Sequence, residues 1–232
     1  MLELFPEGFE EVSTDGSVEL VAYTDSGGEE RLWHAFGGAR AEDVAADWRD
    51  RWKAFHRPVQ IGSLWIGPPW EEAPRGATTV VIEPGRAFGT GAHPTTRLCV
   101  ELLLAAGRGS LVDLGCGSGV LSVVACKLGF RPVFARDLDE HAVEATLANA
   151  RANEVEVDAE TADALAAELP QTDIAVANIT RPTLEALAPR LRSRVLVGSG
   201  YLLSDEAELE GYRHVRRLER EGWVADLYEA AE

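Results

Sequence analysis

A short glycine-rich segment carries the strongest chemical signal in this chain. The apolar run that begins at Leu111 includes an acid, Asp113, and glycines then occupy every second position from Gly115 to Gly119. A helical pattern follows over residues 120–128. Glycine lets a backbone approach a ligand that a Cβ would block, and a helix start offers unpaired N–H groups. Strand, tight turn and helix start together indicate a site for a nucleotide-type cofactor.

The spacing of the glycines distinguishes between cofactors. A dinucleotide fingerprint, G-x-G-x-x-G, needs its third glycine at the position of Val120, whereas the third glycine here is Gly119. This disfavours a nicotinamide-dependent dehydrogenase. With Asp113 two residues before Gly115, the arrangement resembles the first motif of class I S-adenosylmethionine methyltransferases. Gly115 and Gly117 would then let the methionine and ribose parts of the cofactor lie against the backbone. A glycine-rich turn without a ligand is the alternative.

Acids stand at the ends of two predicted strands, where open α/β sheets bind ligands. Asp113 either accepts a hydrogen bond from the cofactor ammonium, directly or through water, or stabilises the turn. Asp137 follows the next strand and suits a ribose diol, since an acid there accepts two hydrogen bonds and repels a 2′-phosphate. Asp139 competes for this role, but its place before Glu140 favours a helix cap. Asp137 is therefore the preferred ribose ligand.

Two further segments bring polar groups to the same edge. Asn178 follows another apolar strand, and its carboxamide offers both an acceptor oxygen and an NH₂ donor. A cap on the helix that follows is its alternative role. In the glycine-rich loop over residues 84–96, Thr95 or Thr96 can cap the next helix or contact a ligand. His93 is either a base or, as is commoner before proline in such a loop, structural.

Alternating strands and helices must position these groups. Strands are predicted at residues 78–82, 110–114, 132–136, 155–159, 173–177 and 194–198, and helices at residues 95–106, 118–128, 140–153, 163–168 and 182–191. This alternation predicts an α/β fold with a doubly wound, mostly parallel sheet. A helix at 204–209 and adjacent strands at 212–218 and 223–228 then predict the closing antiparallel hairpin of a seven-stranded, Rossmann-like methyltransferase sheet.

The N-terminal part predicts a smaller α+β unit. Strand-like runs at Val18–Tyr23 and Arg31–Ala35 flank a hairpin turn at Asp25–Gly28. The pattern from Glu42 to Phe55 predicts a helix with an aromatic face, which suits packing better than ligand binding.

Composition limits the classes of function. No apolar run is long enough to cross a bilayer and no signal peptide is visible, so we expect a cytoplasmic protein without a membrane partner. The net charge of −17 disfavours direct nucleic-acid binding and suits a basic protein partner, although acidity also aids solubility. Cys99 and Cys126 fit helical cores, and Cys116 fits a space-filling role in the glycine turn. No metal site is predicted.

The glycine-rich loop before the first long helix resembles the signature of a known protein family. The segment Pro84–Cys99, PGRAFGTGAHPTTRLC, is very similar to the signature of the ribosomal-protein methyltransferase family that modifies large-subunit ribosomal protein eleven. Asp113–Gly119, Asp137–Asp139 and Ala177–Ile179 follow at the family's spacings, and the resemblance covers roughly Trp48–Glu232. The resemblance implies S-adenosylmethionine as the cofactor. The cofactor contacts carried over from the family are Thr96, Gly115, Asp137 and Asn178.

The resemblance also implies a division into domains. Family members carry a small N-terminal substrate-recognition domain, and residues 1–57 match only a truncated form of it. Proline and glycine mark residues 58–77 as a linker with short strands at 59–61 and 64–66. Residues 78–232 are the expected methyltransferase domain. A second departure from the family is the Thr-Arg-Pro run after Ile179, where apolar or small residues are usual.

The implied activity is transfer of methyl groups to lysine ε-amines or α-amines of a large-subunit ribosomal protein, by a monomeric enzyme. Asn178 is the expected catalytic residue, because it stands where related methyltransferases hold the substrate nitrogen. Two alternatives remain open. One is the same chemistry on another protein or a small amine, and the other is a non-catalytic, cofactor-binding ribosome assembly factor.

Overall fold

The computed structural model describes residues 10–14, 17–21, 32, 35–36, 56–84, 89 and 91–231. The strands are β1 Glu10–Thr14, β2 Ser17–Val21, β3 Val59–Ile61, β4 Leu64–Gly67, β5 Thr78–Val81, β6 Leu111–Leu114, β7 Val133–Asp137, β8 Asp158–Thr161, β9 Ile174–Asn178, β10 Val195–Leu202, β11 Tyr212–Arg220 and β12 Trp223–Ala230. The helices are α1 Pro94–Ala105, α2 Val120–Leu128, α3 Glu140–Ala152 and α4 Arg181–Leu187, followed by a 3₁₀ turn at Ala188–Arg190. Among the described residues, no helix has the length and apolar character that crossing a membrane requires.

The chain divides into two compact units, Met1–Arg51 and Trp52–Glu232. In the first unit, β1 and β2 form an antiparallel hairpin. The predicted strand at 18–23 is confirmed over residues 18–21, but its partner is β1, which the pattern missed because Val12 is the only apolar residue of that strand. The predicted strand at 31–35 is wrong at Leu32 and Ala35, which are helical. The predicted hairpin turn at 25–28 and helix at 42–55 lie outside the described residues.

A seven-stranded sheet forms the centre of the second unit, in the order β11-β12-β10-β9-β6-β7-β8. The five strands from β10 to β8 are parallel, and β12 pairs antiparallel with both β10 and β11. The chain runs outward from β6 through β7 to β8 and then returns to β9 on the other side of β6. The switch point of this doubly wound sheet therefore lies between β6 and β9. Open α/β sheets bind ligands at such a point, beyond the carboxyl ends of the strands.

Both faces of the sheet are buried, as a parallel sheet requires. Neighbouring residues along a strand belong to different cores: Leu111 and Val176 lie in one, whereas Val112 and Ala175 lie in the other. This alternation follows from the two-residue period of a strand. The first core includes residues of α1 and α2, and the second includes residues of α4. The predicted doubly wound sheet with a closing hairpin is thus confirmed.

A small second sheet, β3-β4-β5, precedes α1 in the chain. Its strands match those predicted from residues 59–82, and β4 pairs antiparallel with β3 and parallel with β5. The apolar side chains of Ile61, Leu64, Ile66 and Val80 are buried in the first core. Residues 58–77 therefore contribute packed strands to the same core as α1 and α2.

Two predicted helices are absent. Residues 163–168 form a turn in which the Asp163 carbonyl accepts from Ala166 and Ala167 N–H and its carboxylate accepts from Leu165 N–H at 2.9 Å. Such local side-chain bonds compete with a short helix, whose nucleation is costly. Residues 204–209 are also not helical. Within that segment, the backbone carbonyls of Asp205 and Ala207 accept from side chains of the closing hairpin instead.

The strand at the parallel edge of the sheet, β8, begins three residues later than predicted. Alternating valines at 155 and 157 suggested a strand over residues 155–159, whereas β8 covers Asp158–Thr161. Its register with β7 pairs Phe134 with Asp158 and Asp137 with Thr161. The two valines instead pack partly buried against the first core, ahead of the strand.

Candidate functional site: a cofactor cavity at the switch point

The glycine turn connects β6 to α2 at the carboxyl edge of the sheet. Gly115, Gly117 and Gly119 all have positive φ values, of 73°, 54° and 77°. This left-handed conformation favours glycine. A Cβ on Gly119 would lie 2.8 Å from the Thr146 Cα on α3, and a Cβ on Gly115 would lie 2.6 Å from a methyl group of Ile179. The turn is thus held closely between α3 and the loop after β9.

The two acids after β7 have separate roles in the structure. Asp137 accepts from Gly117 N–H at 2.9 Å with one carboxylate oxygen and from Asp139 N–H at 3.0 Å with the other. Asp139 caps α3, because its carboxylate accepts from His141 N–H at 2.9 Å. The predicted cap is confirmed. An ionised carboxylate has about four acceptor positions, so Asp137 retains the capacity to bind a diol.

Asp113 lies beneath the turn. Its side chain is buried, and the Ser122 hydroxyl donates to it at 2.6 Å. Burial raises its pKa to about 7; the hydrogen bonds from Ser122 oppose this shift, and the charge of Asp137 adds to it. Asp113 is not among the residues that line the cavity described below. Its carboxyl group therefore anchors α2 to β6, and its contact with a cofactor stays a prediction.

Asn178 ends β9 and faces the start of α1. Its side-chain N–H₂ donates to the Thr95 hydroxyl at 3.1 Å and lies 3.4 Å from the Thr96 hydroxyl. The helix cap considered for Asn178 is wrong, because Thr180 occupies the N-cap of α4. On α1 the N-cap is His93, whose ring accepts from Thr95 N–H. The structural role preferred for His93 is therefore confirmed, and the two threonines serve other contacts than the cap.

These elements enclose a cavity of about 360 Å³. Five of the predicted cofactor contacts line it: Thr96, Gly115, Gly117, Asp137 and Asn178. The other lining residues are Gly89, Cys116, Val120, Leu121, Asp139 and Ala142. The sheet topology thus brings together side chains from β7, β9 and α1, which are far apart in the sequence, around one glycine turn.

Asn149 of α3 and Asn153, the C-cap residue that follows this helix, support the site and were missed in the sequence. Asn149 donates to Ser118 O at 2.8 Å and accepts from Glu83 N–H at 3.0 Å. Asn153 makes two hydrogen bonds with the backbone of Val81, at 2.6 and 2.8 Å. Through these hydrogen bonds they connect β5, and the start of the loop after it, to α3 and the glycine turn. Their four-residue spacing on an amphipathic helix was the available signal.

A bulge in β10 makes room for the loop that carries Asn178. Pairing with β12 shifts between Ser199 and Tyr201, and Gly200 at the bulge has a φ of 104°. A Cβ on Gly200 would lie 2.2 Å from the carbonyl oxygen of Ile179, and Ile179 N–H donates to Ser199 O at 2.9 Å. Glycine is required here because the backbone after Asn178 lies directly against it.

The three cysteines, Cys99, Cys116 and Cys126, are free and buried. Burial raises the pKa of the Cys116 thiol to about 12, although that thiol lies in the glycine turn beside the cavity. A thiol in this state is a poor nucleophile. The space-filling role predicted for Cys116 is confirmed.

The topology and the place of the site define the class. A doubly wound sheet that closes with an antiparallel hairpin, with a glycine turn at its switch point, is the Rossmann-like methyltransferase fold. A solved structure, the ribosomal protein L11 methylase from Lactobacillus delbrueckii subsp. bulgaricus, has the same fold, with a TM-score of 0.67 and 24% identity. The match covers 76% of this chain and all of that chain.

Within that class, the chain belongs to the ribosomal protein L11 methyltransferase (PrmA) family, whose model matches residues 17–226. It is 44% identical over 169 residues to the ribosomal protein L11 methyltransferase of Shewanella sp. (strain ANA-3), covering 68% of this chain and 56% of the relative. With the Shewanella frigidimarina protein of the same name it shares 38% identity over 215 residues, covering 88% of this chain and 69% of the relative. The chain thus spans about half to two-thirds of the length of these relatives.

Proposed function

We propose that this protein is an S-adenosylmethionine-dependent protein N-methyltransferase that acts on ribosomal protein L11. The observation that carries the proposal is the cavity at the switch point, where the glycine turn, Asp137, Thr96 and Asn178 meet. Membership of the family and the names of the relatives supply the substrate class. The proposed nucleophile is a lysine ε-amine or an α-amine.

The residues around the cavity fit the proposed cofactor. The cavity volume of about 360 Å³ is in the usual range for small-molecule sites. Gly115 and Gly117 leave the backbone accessible on one side, and Asp137 offers carboxylate acceptors to a ribose diol. Val120 and Leu121 provide an apolar wall. S-adenosylmethionine, when bound, supplies an electrophilic methyl group on a positively charged sulfur.

The residues of this chain then have to align a neutral amine. A lysine is almost fully protonated in water at pH 7, so the site must favour the uncharged form. Desolvation beside a positive charge has that effect. The Asn178 carbonyl oxygen accepts an N–H of the amine and directs its lone pair towards the methyl group. We assign no general base, because water can remove the proton before the attack.

Replacing Asp137 with alanine is expected to weaken S-adenosylmethionine binding by about 1.5–3 kcal/mol for each charge-assisted hydrogen bond lost. Isothermal titration calorimetry measures the change. The control is Asp139→Ser, which removes the neighbouring charge but keeps a capping side chain on α3. If Asp139→Ser weakens binding as much as Asp137→Ala does, the ribose role of Asp137 is contradicted.

The proposed reaction is tested by incubating purified ribosomal protein L11 with this protein and S-adenosylmethionine. Mass spectrometry should show gains in steps of one methyl group, and peptide mapping should place them on amine nitrogens. An Asn178→Ala variant that still binds the cofactor is the control and should add little or no methyl. Cofactor binding by the wild type without any mass gain would contradict L11 as the substrate.

The remaining features of the proposal follow from the same observations. We propose a monomeric, cytoplasmic enzyme without direct contacts to nucleic acid or membrane, and the net charge of −17 supports a basic protein substrate. Residues 1–57 are proposed as a small substrate-recognition domain and residues 78–232 as the methyltransferase domain. The segment 58–77 between them is proposed as the linker, and its strands β3 and β4 pack into the core of the second unit.

A further inference from the structure

A short chain of hydrogen bonds connects His93 to Asn178 through Thr95. The Nδ1 atom of His93 accepts from Thr95 N–H at 3.3 Å and lies 2.7 Å from the Thr95 hydroxyl oxygen. A ring nitrogen that accepts a backbone N–H carries no proton. The Thr95 hydroxyl must therefore donate its single hydrogen to Nδ1.

This donation decides which way the Asn178 carboxamide faces. With its hydrogen committed to His93, the Thr95 oxygen can only accept, so the group at 3.1 Å from it must be the N–H₂ of Asn178. The Thr96 hydroxyl, 3.4 Å from the same nitrogen, is placed to receive the second hydrogen. Both amide hydrogens thus point towards α1, and the carbonyl oxygen points away from it. Among the described residues, none donates a hydrogen bond to that oxygen.

We propose that His93 is a positioning residue, which acts through Thr95 to keep the Asn178 carbonyl oxygen, rather than its N–H₂ group, available to the substrate amine. The inference rests on the methyl-transfer function proposed above. A carbonyl oxygen accepts an N–H of the amine and leaves the lone pair free for attack. A reversed carboxamide would present a donor to that lone pair and block the nucleophile.

The surroundings of His93 favour the neutral ring, whose Nδ1 atom accepts hydrogen bonds from Thr95. Burial lowers the pKa of the His93 ring, and the carboxylate of Glu221, in the turn between β11 and β12, opposes this effect. The ring also meets the indole of Trp223 edge-on, with 5.1 Å between the ring centres. Protonation of Nδ1 would place an N–H against the backbone N–H of Thr95 and would make the Thr95 hydroxyl accept from the ring, so that its hydrogen turns towards Asn178. Orientation of Asn178 should therefore be lost as the pH falls through the pKa of His93.

The first test compares Thr95→Val with Thr95→Ser. Valine has the shape of threonine but no hydroxyl, so kcat should fall about 10–100-fold through misorientation of Asn178. Affinity for S-adenosylmethionine, measured by calorimetry, should fall much less than kcat, because Thr95 itself does not line the cavity and only the orientation of Asn178 changes. Serine restores the hydroxyl and should restore most of kcat. Thr79→Val, the same change in β5 away from the cavity, is the control.

Two outcomes of this test would overturn the inference. A Thr95→Val variant that folds and keeps its kcat would show that the hydroxyl does not orient Asn178. Equal losses of kcat in the serine and valine variants would show that packing at this position matters and the hydrogen bond does not.

A second test does not depend on turnover. Nitrogen-15 NMR of histidine-labelled protein should show an unprotonated Nδ1 for His93 at neutral pH, assigned by its disappearance in His93→Asn. A protonated Nδ1 in the folded protein would refute the proposed hydrogen-bond chain, even if L11 methylation fails for another reason. His93→Asn should retain most of kcat at neutral pH, because its amide oxygen can accept from Thr95 but does not titrate. Protonation of the substrate amine lowers kcat at acid pH in both proteins, so kcat of His93→Asn should fall less steeply than kcat of the wild type. Identical pH profiles of kcat for the two proteins would contradict the role of His93.

Discussion

Replacing Asp226 with alanine is expected to lower the free energy of unfolding by about 3–5 kcal/mol. Asp226 is fully buried in β12. Its carboxylate accepts two hydrogen bonds from the Arg217 guanidinium, at 2.8 and 2.9 Å, and one from the Tyr201 hydroxyl at 2.9 Å. The His214 ring contacts it at 2.9 Å. Removing the carboxylate leaves the partly buried guanidinium of Arg217 without its partner.

The same cluster connects the closing hairpin to the loop over residues 204–209. Arg217 also donates to Asp205 O at 3.1 Å, and the Tyr228 hydroxyl donates to Ala207 O at 3.2 Å. Burial alone would raise the pKa of Asp226, but the hydrogen bonds from Arg217, His214 and Tyr201 outweigh it and lower the pKa. The stabilisation from its ionised form is therefore present above the unfolded-state pKa, near 4, and is lost as the pH falls below it.

Chemical denaturation of Asp226→Ala at neutral pH measures the loss. The control is Glu229→Ala on the same strand, because Glu229 pairs with Arg213 of β11 across an exposed surface, at 2.7 Å. Exposed pairs contribute only about 0–1 kcal/mol. If Asp226→Ala costs no more than Glu229→Ala does, the buried cluster does not stabilise the hairpin. Replacing Arg217 and Asp226 together with apolar residues should cost less than the two single losses combined.

The sequence was sufficient to predict that the polar residues at two strand ends lie together at the cavity, and insufficient to predict the residues that hold the surrounding elements in place. Asp137 and Asn178 could be predicted because each directly follows a buried apolar strand, and parallel strands end at one edge of the sheet. Asn149 and Asn153 could not be predicted as supporting residues, because an asparagine in a helical pattern is usually solvent-exposed. Their partners Val81 and Glu83 lie 66–72 residues away and become neighbours only when β5 packs beside α3.

Two of the errors in the predicted elements have the same origin. The valines before β8 alternate as in a strand, yet the ladder is set by pairing with β7 and begins at Asp158. The segment 204–209 has a helical pattern, yet its carbonyls accept side-chain donors from β11 and β12. In each case a long-range contact overrides a local preference. The bulge at Gly200 is of the same kind, since only the approach of Ile179 makes the glycine necessary.

Replacing Asp113 with asparagine is expected to stabilise the protein at alkaline pH, by on the order of 2–4 kcal/mol at pH 8. The pKa of Asp113 is about 7 in the folded protein, raised by burial, against about 4 in an unfolded chain. Between these values the folded state binds more protons than the unfolded state. The stability of the wild type therefore falls, through this group, as the pH rises from 4 to 7, and this contribution levels off above the folded-state pKa. Asparagine cannot ionise and can still accept from the Ser122 hydroxyl.

The difference in unfolding free energy between Asp113→Asn and the wild type, measured from pH 4 to pH 8, isolates this contribution from the other titrating groups. It should be small at pH 4 and grow with pH; a constant difference would refute the raised pKa. Asp163→Asn, the same change at an exposed residue, controls for the substitution itself. Calorimetry on the same variants separates the two roles considered for Asp113. A variant that is more stable at pH 8 but binds S-adenosylmethionine weakly would assign the carboxylate to the cofactor ammonium, whereas unchanged affinity would assign it to anchoring α2 beneath the glycine turn.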